Sequence, residues 1–269
     1  MFWYNGSIIE SNTLELSSDD PGLLYGATVF TTLRVYNGSL DTPLTNWAAH
    51  CARLRFSLET FHWRFPNWQQ LRQGAELIAA KWPVLRIAIF YDGRELIIGR
   101  NLPADLTKRQ QNGIRAWLAE RPHLQRSLPA HKTGNYLSAW LAQKSAQQQG
   151  ALEAILVDAA GNWLETSTGN LWGWRSGQWF SPPLDGRILP GLTRALLFSW
   201  LEKQGHSVRE QPWTPELVSE FEAIAYSNCV AEVIPIHTVA SRHRTLTYNP
   251  KHWAFQQLQS LFQSSHKLQ

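Results

Sequence analysis

Short apolar runs separated by turn-forming pairs characterise the first third of the chain. The pairs Asn5-Gly6 and Asp92-Gly93 are typical of tight turns, so the runs that flank each pair predict antiparallel hairpins. A β-branched and aromatic run over residues 29–36 predicts a further strand. Between these strands, apolar residues recur at helical spacing, which predicts one helix capped by Thr45 and another capped by Asn67.

Strands dominate the rest of the chain, and helices are inserted among them at irregular intervals. Helices are predicted over residues 135–149 and 191–204, and a glycine follows each of them. Because strands and helices do not alternate regularly, the pattern favours an α+β fold over repeated βαβ units. The polar segment around Pro103 is predicted as a linker, which divides the chain into a small domain, 1–108, and a larger domain, 109–269.

The composition is that of a globular protein with an ordinary core. The 269 residues are 43% hydrophobic and 17% charged. No apolar run approaches the roughly 18–20 residues that a membrane helix needs, and the N-terminus lacks the features of a signal peptide. Cys51 and Cys229 stand alone, without the spacing of a metal site. We therefore expect a cytoplasmic protein with no bound metal and no membrane contact.

The basic residues are in modest excess and are spread along the chain. The net charge of +4 comes from 25 basic and 21 acidic residues. Only Arg242-His243-Arg244 forms a tight cluster. Dispersed arginines are more typical of small anionic ligands, or of plain solvation, than of a surface that binds nucleic acid. The sequence therefore predicts a small-molecule anionic substrate and no nucleic-acid partner.

One lysine stands in an unusual context, in a chain that has no P-loop, dinucleotide, zinc-protease or serine-hydrolase motif. Lys132 lies in Pro129-Ala130-His131-Lys132-Thr133-Gly134-Asn135-Tyr136, just before a predicted helix and among small residues. A lysine that loses solvation there can act as an amine nucleophile. On spacing alone, a solvated loop lysine is the more common interpretation.

Two further segments place polar groups at the ends of predicted elements. In Leu164-Glu165-Thr166-Ser167-Thr168-Gly169-Asn170, a single carboxylate ends a β-rich run. In Ile188-Leu189-Pro190-Gly191-Leu192-Thr193-Arg194, Pro-Gly precedes a predicted helix whose first N–H groups can bind a phosphate. Taken singly, an exposed turn carboxylate is the favoured interpretation of the first segment, and ordinary helix capping explains the second equally well.

Together, and in this order, the three segments resemble the motifs of fold-type IV pyridoxal-phosphate enzymes. That family contains branched-chain aminotransferases, D-amino-acid aminotransferases and 4-amino-4-deoxychorismate lyases. The resemblance covers residues 2–236. Similar motifs also occur at Tyr25-Gly26-Ala27-Thr28-Val29-Phe30-Thr31-Thr32-Leu33-Arg34, at His50-Cys51-Ala52-Arg53-Leu54 and at Ser227-Asn228-Cys229-Val230-Ala231-Glu232-Val233-Ile234-Pro235.

The resemblance implies a two-domain α+β enzyme whose larger, β-barrel-like domain carries the cofactor lysine. It implies pyridoxal 5′-phosphate as the cofactor, bound between the domains. It also implies a homodimer in which the partner chain helps to close each active site.

The resemblance further implies roles for individual residues. Lys132 would carry the cofactor covalently, and Glu165 would face the pyridine nitrogen and keep it protonated, so that the ring withdraws electrons. Tyr136 would lie near the ring oxygen. The phosphate would be held by Arg53, by the N–H groups of Leu192 and Thr193, and by the turn that contains Asn228 and Cys229.

The motif near the N-terminus separates the reactions of the family. Branched-chain aminotransferases usually have Phe-Glu-Gly where this chain has Phe30-Thr31-Thr32, which is similar to many of the lyases, as is Asn228. We therefore expect a lyase that converts 4-amino-4-deoxychorismate into 4-aminobenzoate and pyruvate in folate biosynthesis. Lys132 would remove the ring proton, and Lys132, Thr31 or Thr32 would protonate the departing side chain. Residues 231–235 resemble the aminotransferases instead, so an aminotransferase for D- or branched-chain amino acids is the alternative.

The resemblance leaves the substrate carboxylates with two candidate partners. The substrate would lie against Tyr25 and Phe30. The Arg-Gly pair usual in the lyases is replaced by Tyr91-Asp92-Gly93-Arg94, so Arg94 and Arg100 are the candidates, with surface charges on a hairpin as the alternative interpretation. A non-catalytic binding protein with the same fold is a further alternative, against which the presence of both cofactor residues argues.

Overall fold

Two compact units make up the described part of the chain, residues 1–242 and 244–264, in a computed structural model. The first unit contains Met1–Pro103 and His131–Asn135, and the second contains Ala104–Ala130 and the described residues from Tyr136 onward. The division therefore falls at Pro103 rather than at residue 108. The sequence predicts Lys132 in the larger domain, whereas the structure includes it in the first unit.

Backbone hydrogen bonds tie the Lys132 segment to a strand of the first unit. The N–H of Phe30 donates to the carbonyl oxygen of Lys132 at 2.7 Å, and the N–H of Gly134 donates to that of Thr28 at 2.6 Å. A Cβ at Gly134 would lie 2.3 Å from the Thr28 hydroxyl oxygen, so this close approach requires glycine. A pairing between distant parts of the chain therefore decides the unit to which Lys132 belongs.

The first unit, all of whose residues are described, contains five strands and three helices. They are β1 (Phe2–Tyr4), β2 (Ser7–Ile9), α1 (Pro21–Leu24), β3 (Thr28–Arg34), α2 (Trp47–Thr60), α3 (Trp68–Ala79), β4 (Val84–Phe90) and β5 (Glu95–Arg100). The strands form one antiparallel sheet in the order β2-β1-β5-β4-β3, which confirms both predicted hairpins. Asn67 caps α3 as predicted, since its Oδ1 accepts from the N–H groups of Gln69 and Gln70, both at 3.1 Å.

The alternation of side chains along β3 gives this sheet two unlike faces. Thr31 and Leu33 lie on one face, with Ile87 of β4 opposite Thr31. This helix-side face packs against α2 and α3 in an apolar core. Phe30 and Thr32 lie on the opposite face, which points away from α2 and α3 and which we refer to as the far face.

The second unit contains the remaining described elements. They are α4 (Leu106–Asn112), β6 (Ile114–Ala119), a 3-10 turn (Pro122–Leu124), α5 (Leu137–Gln148), β7 (Glu153–Val157), β8 (Trp163–Thr166), β9 (Asn170–Arg175), β10 (Gln178–Ser181), α6 (Leu192–Lys203), β11 (Val208–Glu210), α7 (Pro215–Ser219), β12 (Ala223–Asn228), β13 (Glu232–Ala240), β14 (Thr245–Thr247) and α8 (Phe255–Ser264). Across the described residues of both units, no helix combines the length and the apolar character that a bilayer crossing requires.

One sheet organises the second unit. Within its described residues, eight strands follow the order β11-β10-β9-β12-β13-β6-β7-β8, and β14 adds to the edge of β13. Although β8 ends this row, the turn over residues 167–169 joins it to β9, and the N–H of Thr166 donates to the carbonyl oxygen of Gly169 at 2.8 Å. The sheet therefore curls back on itself. Strands with irregularly inserted helices confirm the predicted α+β class.

Two local predictions are wrong. The segment predicted as a linker contains most of α4, which Leu106 anchors by its burial. Thr45 does not cap α2, because that helix follows Asn46, and the Thr45 hydroxyl instead accepts from the N–H of Tyr36 at 3.0 Å. In both cases tertiary contacts override a local pattern.

Candidate active site

Lys132 lies against an aromatic ring on the far face. Its Nζ is 4.7 Å from the centre of the Phe30 ring, and the lysine is half-buried. A half-buried ammonium group beside a ring exchanges part of its hydration for a cation–π contact. The structure therefore brings together two residues that the sequence predicts for the site, and Lys132 does not fit the interpretation as a fully solvated loop lysine.

Three arginines share the far face with Phe30. The guanidinium carbon of Arg86 lies 3.6 Å from the centre of the Phe30 ring, and Arg86 is directly opposite Thr32 in the β3–β4 register. Residues opposite each other on antiparallel strands share a face, as do residues two apart on one strand. By that register, Arg34 at the end of β3 and Arg100 at the end of β5 lie on the same face. Of these three, only Arg100 is a predicted partner of the substrate carboxylates, because motif spacing does not give the strand register.

The two threonines of the Phe30-Thr31-Thr32 motif point in opposite directions. Thr31 is 0% exposed on the helix-side face, and its hydroxyl contacts Arg53 and His50 of α2. Thr32 is half-buried on the far face. The sequence treats both as possible proton donors. The structure places only Thr32 on the face where Lys132 contacts Phe30.

Helix α2 also holds the residue that precedes Lys132. The hydroxyl oxygen of Ser57 lies 3.0 Å from Nδ1 of His131. The Phe56 ring stacks on the His131 ring at 5.2 Å with 7° between the planes, and the Phe61 ring is 4.7 Å away. Burial lowers the pKa of His131, which favours the neutral ring. These contacts fix the backbone from which Lys132 extends.

Two further residues are predicted to bind substrate, Arg94 and Tyr25, and the guanidinium carbon of Arg94 lies 4.8 Å from the centre of the Phe90 ring. Arg94 donates to Asp20 and to Asp92, each at 2.6 Å, and to the hydroxyl of Tyr4 at 2.7 Å. These contacts hold Arg94 within the hairpin, and its role towards the substrate stays a prediction. Tyr25 follows α1 and is 76% exposed.

In the second unit, Glu165 is a buried carboxylate near the end of β8. Only 4% of the residue is exposed, which excludes the interpretation as a solvated turn acid. Its Oε1 accepts from Arg126 at 2.6 Å, and its Oε2 accepts from the N–H of Leu189 at 3.1 Å. The motif around Glu165 therefore contacts the motif that contains Leu189, which leads into α6.

Arg126 connects two residues that the resemblance assigns to the cofactor. Besides its contact with Glu165, its guanidinium carbon lies 5.0 Å from the centre of the Tyr136 ring. Arg126 belongs to none of the motifs in the sequence. It is one of several arginines in a polar segment, and no local pattern distinguishes it from the others.

The start of α6 has the geometry of an anion site. Gly191 is the N-cap, and no side chain caps the first N–H groups, which belong to Leu192 and Thr193. A Cβ at Gly191 would lie 1.9 Å from Oδ1 of Asn170, whose Nδ2 donates to the carbonyl oxygen of Leu189 at 2.9 Å. Asn170 therefore packs directly against the glycine and fixes the turn before the helix.

The turn between β12 and β13 meets this helix start. The side-chain oxygen of Asn228 accepts from the N–H groups of Val230 and Ala231, at 3.0 and 2.8 Å, which shapes the turn. The hydroxyl of Thr193 donates to the sulfur of Cys229 at 3.3 Å. The structure therefore brings Thr193, Asn228 and Cys229 together, as the resemblance implies.

A buried carboxyl group outside the sequence motifs supports the same turn. Glu153 accepts from the hydroxyls of Ser167 and Thr168 at 2.6 and 2.7 Å, and Nδ2 of Asn228 donates to the Thr168 hydroxyl at 3.3 Å. Burial raises the pKa of Glu153 to about 7, although these hydroxyls act to lower it.

Comparison with known proteins identifies the family. Residues 28–239 match the family described as amino-transferase class IV. This match covers most of the chain, so the chain belongs to the class IV aminotransferase family.

Its relatives differ in the reactions for which they are named. The chain is 27% identical over 267 residues to the branched-chain-amino-acid aminotransferase of Salmonella typhimurium, covering 88% of this chain and 84% of the relative. It is 22% identical over 264 residues to the aminodeoxychorismate lyase of Vibrio harveyi, covering 92% and 94%. In fold, it resembles the PLP-bound form of a hypothetical aminotransferase from Mycobacterium tuberculosis, with a TM-score of 0.82, 20% identity and coverage of 98% and 99%.

Proposed function

We propose that the protein is a lyase that converts 4-amino-4-deoxychorismate into 4-aminobenzoate and pyruvate. The observation that carries this proposal is the far face, where Thr32 and three arginines accompany Phe30 and Lys132. The substrate has one amine and two carboxylates. A lysine amine on a sheet face that also carries three arginines suits that combination, because arginine binds carboxylates in bidentate geometry.

The cofactor is pyridoxal 5′-phosphate, and the donor groups of the chain fit it. Its aldehyde requires an amine, which Lys132 supplies. Its phosphate requires N–H donors and a cation, and the uncapped start of α6 and Arg53, each within its own unit, are the groups that would supply them. Its ring nitrogen requires a nearby anion in order to stay protonated, a role that suits Glu165, which is 4% exposed. When bound, the cofactor supplies a ring that withdraws electrons from the carbon that bears the substrate amine.

Lys132 has two roles in the proposed reaction. It would hold the cofactor through its Nζ, and the same Nζ would remove the proton from the ring carbon that bears the substrate amine. The ether bond to the enolpyruvyl group breaks, that group accepts a proton and leaves as pyruvate, and the ring becomes aromatic. The Thr32 hydroxyl on the far face is a second donor for that proton. We do not assign this role to Thr31, whose hydroxyl is engaged by Arg53 and His50.

Product analysis without an amino acceptor tests this proposal. The protein is incubated with pyridoxal 5′-phosphate and 4-amino-4-deoxychorismate in the absence of any 2-oxo acid. We expect 4-aminobenzoate and pyruvate in equal amounts, and neither product with the Lys132→Ala variant. A wild-type protein that forms no pyruvate under these conditions contradicts the lyase proposal.

A class IV aminotransferase acting on D- or branched-chain amino acids is the second candidate. It is supported by the 27% identity to a branched-chain-amino-acid aminotransferase and by the similarity of residues 231–235 to the aminotransferases. Turnover would then depend on a 2-oxo acid acceptor, and branched-chain or D-amino acids would donate the amino group. The same cofactor residues serve both reactions, so only the dependence on the acceptor separates them.

A further inference from the structure

Arg53, Thr31 and His50 form a hydrogen-bonded series of side chains in the first unit. Nη2 of Arg53 donates to the hydroxyl oxygen of Thr31 at 2.7 Å, and that oxygen lies 2.5 Å from Nδ1 of His50. Thr31 is 0% exposed and His50 is 2% exposed. Val29 and Leu33, the neighbours of Thr31 on the helix-side face, belong to the apolar core. An apolar side chain would therefore fit at position 31. Compared with such a side chain, threonine contributes a hydroxyl group.

The chemistry of the three groups fixes which group donates and which accepts in each hydrogen bond. A guanidinium group only donates, so Arg53 uses a lone pair of the Thr31 oxygen. The single hydroxyl hydrogen is then directed to Nδ1 of His50, which accepts when the neutral ring carries its proton on Nε2. Burial, together with the charges of Arg53 and Lys132, lowers the pKa of His50 well below its usual value. The ring is therefore neutral at neutral pH and remains an acceptor.

The spacing on α2 brings the groups together. His50 and Arg53 are three residues apart and so lie on neighbouring positions of one helix face, opposite Thr31 of β3. Buried polar groups are tolerated only when they are hydrogen-bonded. The hydrogen bond from Arg53 restrains its guanidinium group directly, and the contact with His50 orients the Thr31 hydroxyl that accepts this hydrogen bond.

We propose that Thr31 and His50 are positioning residues that orient the Arg53 guanidinium to bind the phosphate of the cofactor. The inference rests on the proposed function only for the assignment of Arg53 to that phosphate. A guanidinium group that is already oriented loses less conformational freedom when it binds an anion. Thr31 and His50 therefore act on the affinity for the phosphate and not on the reaction of the aldehyde with Lys132.

Two ligands that differ only in the phosphate test this inference. Pyridoxal 5′-phosphate and pyridoxal are titrated into the apo forms of the wild type and of the Thr31→Val and Thr31→Ser variants, and the absorbance of the bound ligand is followed. Valine keeps the shape of threonine without the hydroxyl, whereas serine keeps the hydroxyl. We expect Thr31→Val to raise the Kd for pyridoxal 5′-phosphate about tenfold, equal to about 1.4 kcal/mol. The Kd for pyridoxal should change little, and Thr31→Ser should restore most of the lost affinity.

A second set of variants tests the same inference without relying on substitutions of Thr31 alone. His50→Leu, which lacks an acceptor, is expected to weaken phosphate binding as Thr31→Val does, and His50→Asn, which keeps one, is expected to weaken it less. In an Arg53→Ala background, Thr31→Val should have no further effect on the Kd for pyridoxal 5′-phosphate, because the positioned group is absent.

Three results would overturn the positioning role. They are an equal loss of affinity for both ligands, an unchanged Kd for pyridoxal 5′-phosphate in both Thr31→Val and His50→Leu, and a full Thr31→Val effect in the Arg53→Ala background. A wild-type protein that binds neither ligand would contradict the proposed function as well. Normal binding by the wild type, left unchanged by the variants, contradicts only this inference.

Discussion

Arg126 and Glu165 form an ion pair in which each side chain is 5% exposed and Nη1 lies 2.6 Å from Oε1. Glu165 comes from β8 and Arg126 from the segment after β6, so the pair joins two parts of the second unit. The removal of one partner of a buried pair leaves the other charge uncompensated, which is far more costly than the net contribution of the pair itself. The orientation of the Glu165 carboxylate therefore depends on Arg126.

Replacement of Arg126 is expected to destabilise the fold. Arg126→Met should lower the free energy of unfolding by about 3–5 kcal/mol, measured by urea denaturation of the apo protein. Arg187→Met is the matched control, because Arg187 also pairs with carboxylates but its side chain is 41% exposed. The control should lose less than about 1 kcal/mol. Equal losses in the two variants would contradict the structural importance of the buried pair.

The charge of Glu165 is expected to matter for the reaction more than for cofactor binding. Glu165→Gln keeps the shape of the side chain and an acceptor oxygen but removes the charge. Pyridoxal 5′-phosphate should still bind, while single-turnover pyruvate release should slow by about 10²-fold, equal to about 2.7 kcal/mol of barrier. Glu202→Gln, at an exposed position of α6, should change neither quantity. Near-normal turnover in Glu165→Gln would show that Glu165 does not face the ring nitrogen.

Arg86 is expected to contribute to substrate recognition. Arg86→Met should raise the KM for 4-amino-4-deoxychorismate by about tenfold, because a charge-assisted contact to a carboxylate is lost, and should leave the Kd for the cofactor unchanged. Arg72→Met is the control, since Arg72 lies on α3 at the opposite side of the same sheet, where it pairs with Asp41 and Glu76. A similar change in KM for both variants would argue for a general effect of charge.

Glu153 is expected to make stability fall as the pH rises towards neutrality. Burial raises the pKa of Glu153 to about 7, so the folded protein binds a proton that the unfolded chain releases near pH 4.5. The stability that protonated Glu153 contributes is at most about 3 kcal/mol. It is fully present below the pKa of the unfolded chain and is lost as the pH rises through about 7. The difference in unfolding free energy between wild type and Glu153→Gln should follow this course between pH 4.5 and 8. A difference that stays constant over this range would contradict the raised pKa.

The sequence predicts well where the information is local. Asn5-Gly6 and Asp92-Gly93 specify hairpins through the backbone conformations that their turns need, and Asn67 caps a helix through its own side chain. The sequence identifies Lys132 and Glu165 because they lie within motifs that follow one another in the order typical of the family. Each of these features depends on residues that are close together in the chain.

The sequence predicts poorly where the information depends on register or tertiary contacts. Alternation along β3 implies that Thr31 and Thr32 face opposite ways, but it does not tell which face packs against helices. Arg86 belongs to the far face only through its pairing with Thr32. Arg126 reaches Glu165 from a polar segment without any motif. Lys132 falls in the first unit for the same reason, because its segment pairs with β3.

The covalent attachment of the cofactor tests the central claim most directly. The protein is loaded with pyridoxal 5′-phosphate, reduced with borohydride and digested, and the modified peptide is identified by mass spectrometry. Lys144→Ala serves as a control, because Lys144 lies on α5 and contacts Gln147 at an exposed position. We expect one phosphopyridoxyl group on Lys132 in the wild type and in Lys144→Ala, and none in Lys132→Ala. A label on another lysine, or a label spread over several surface lysines, would contradict the assignment of Lys132 and with it the proposed mechanism.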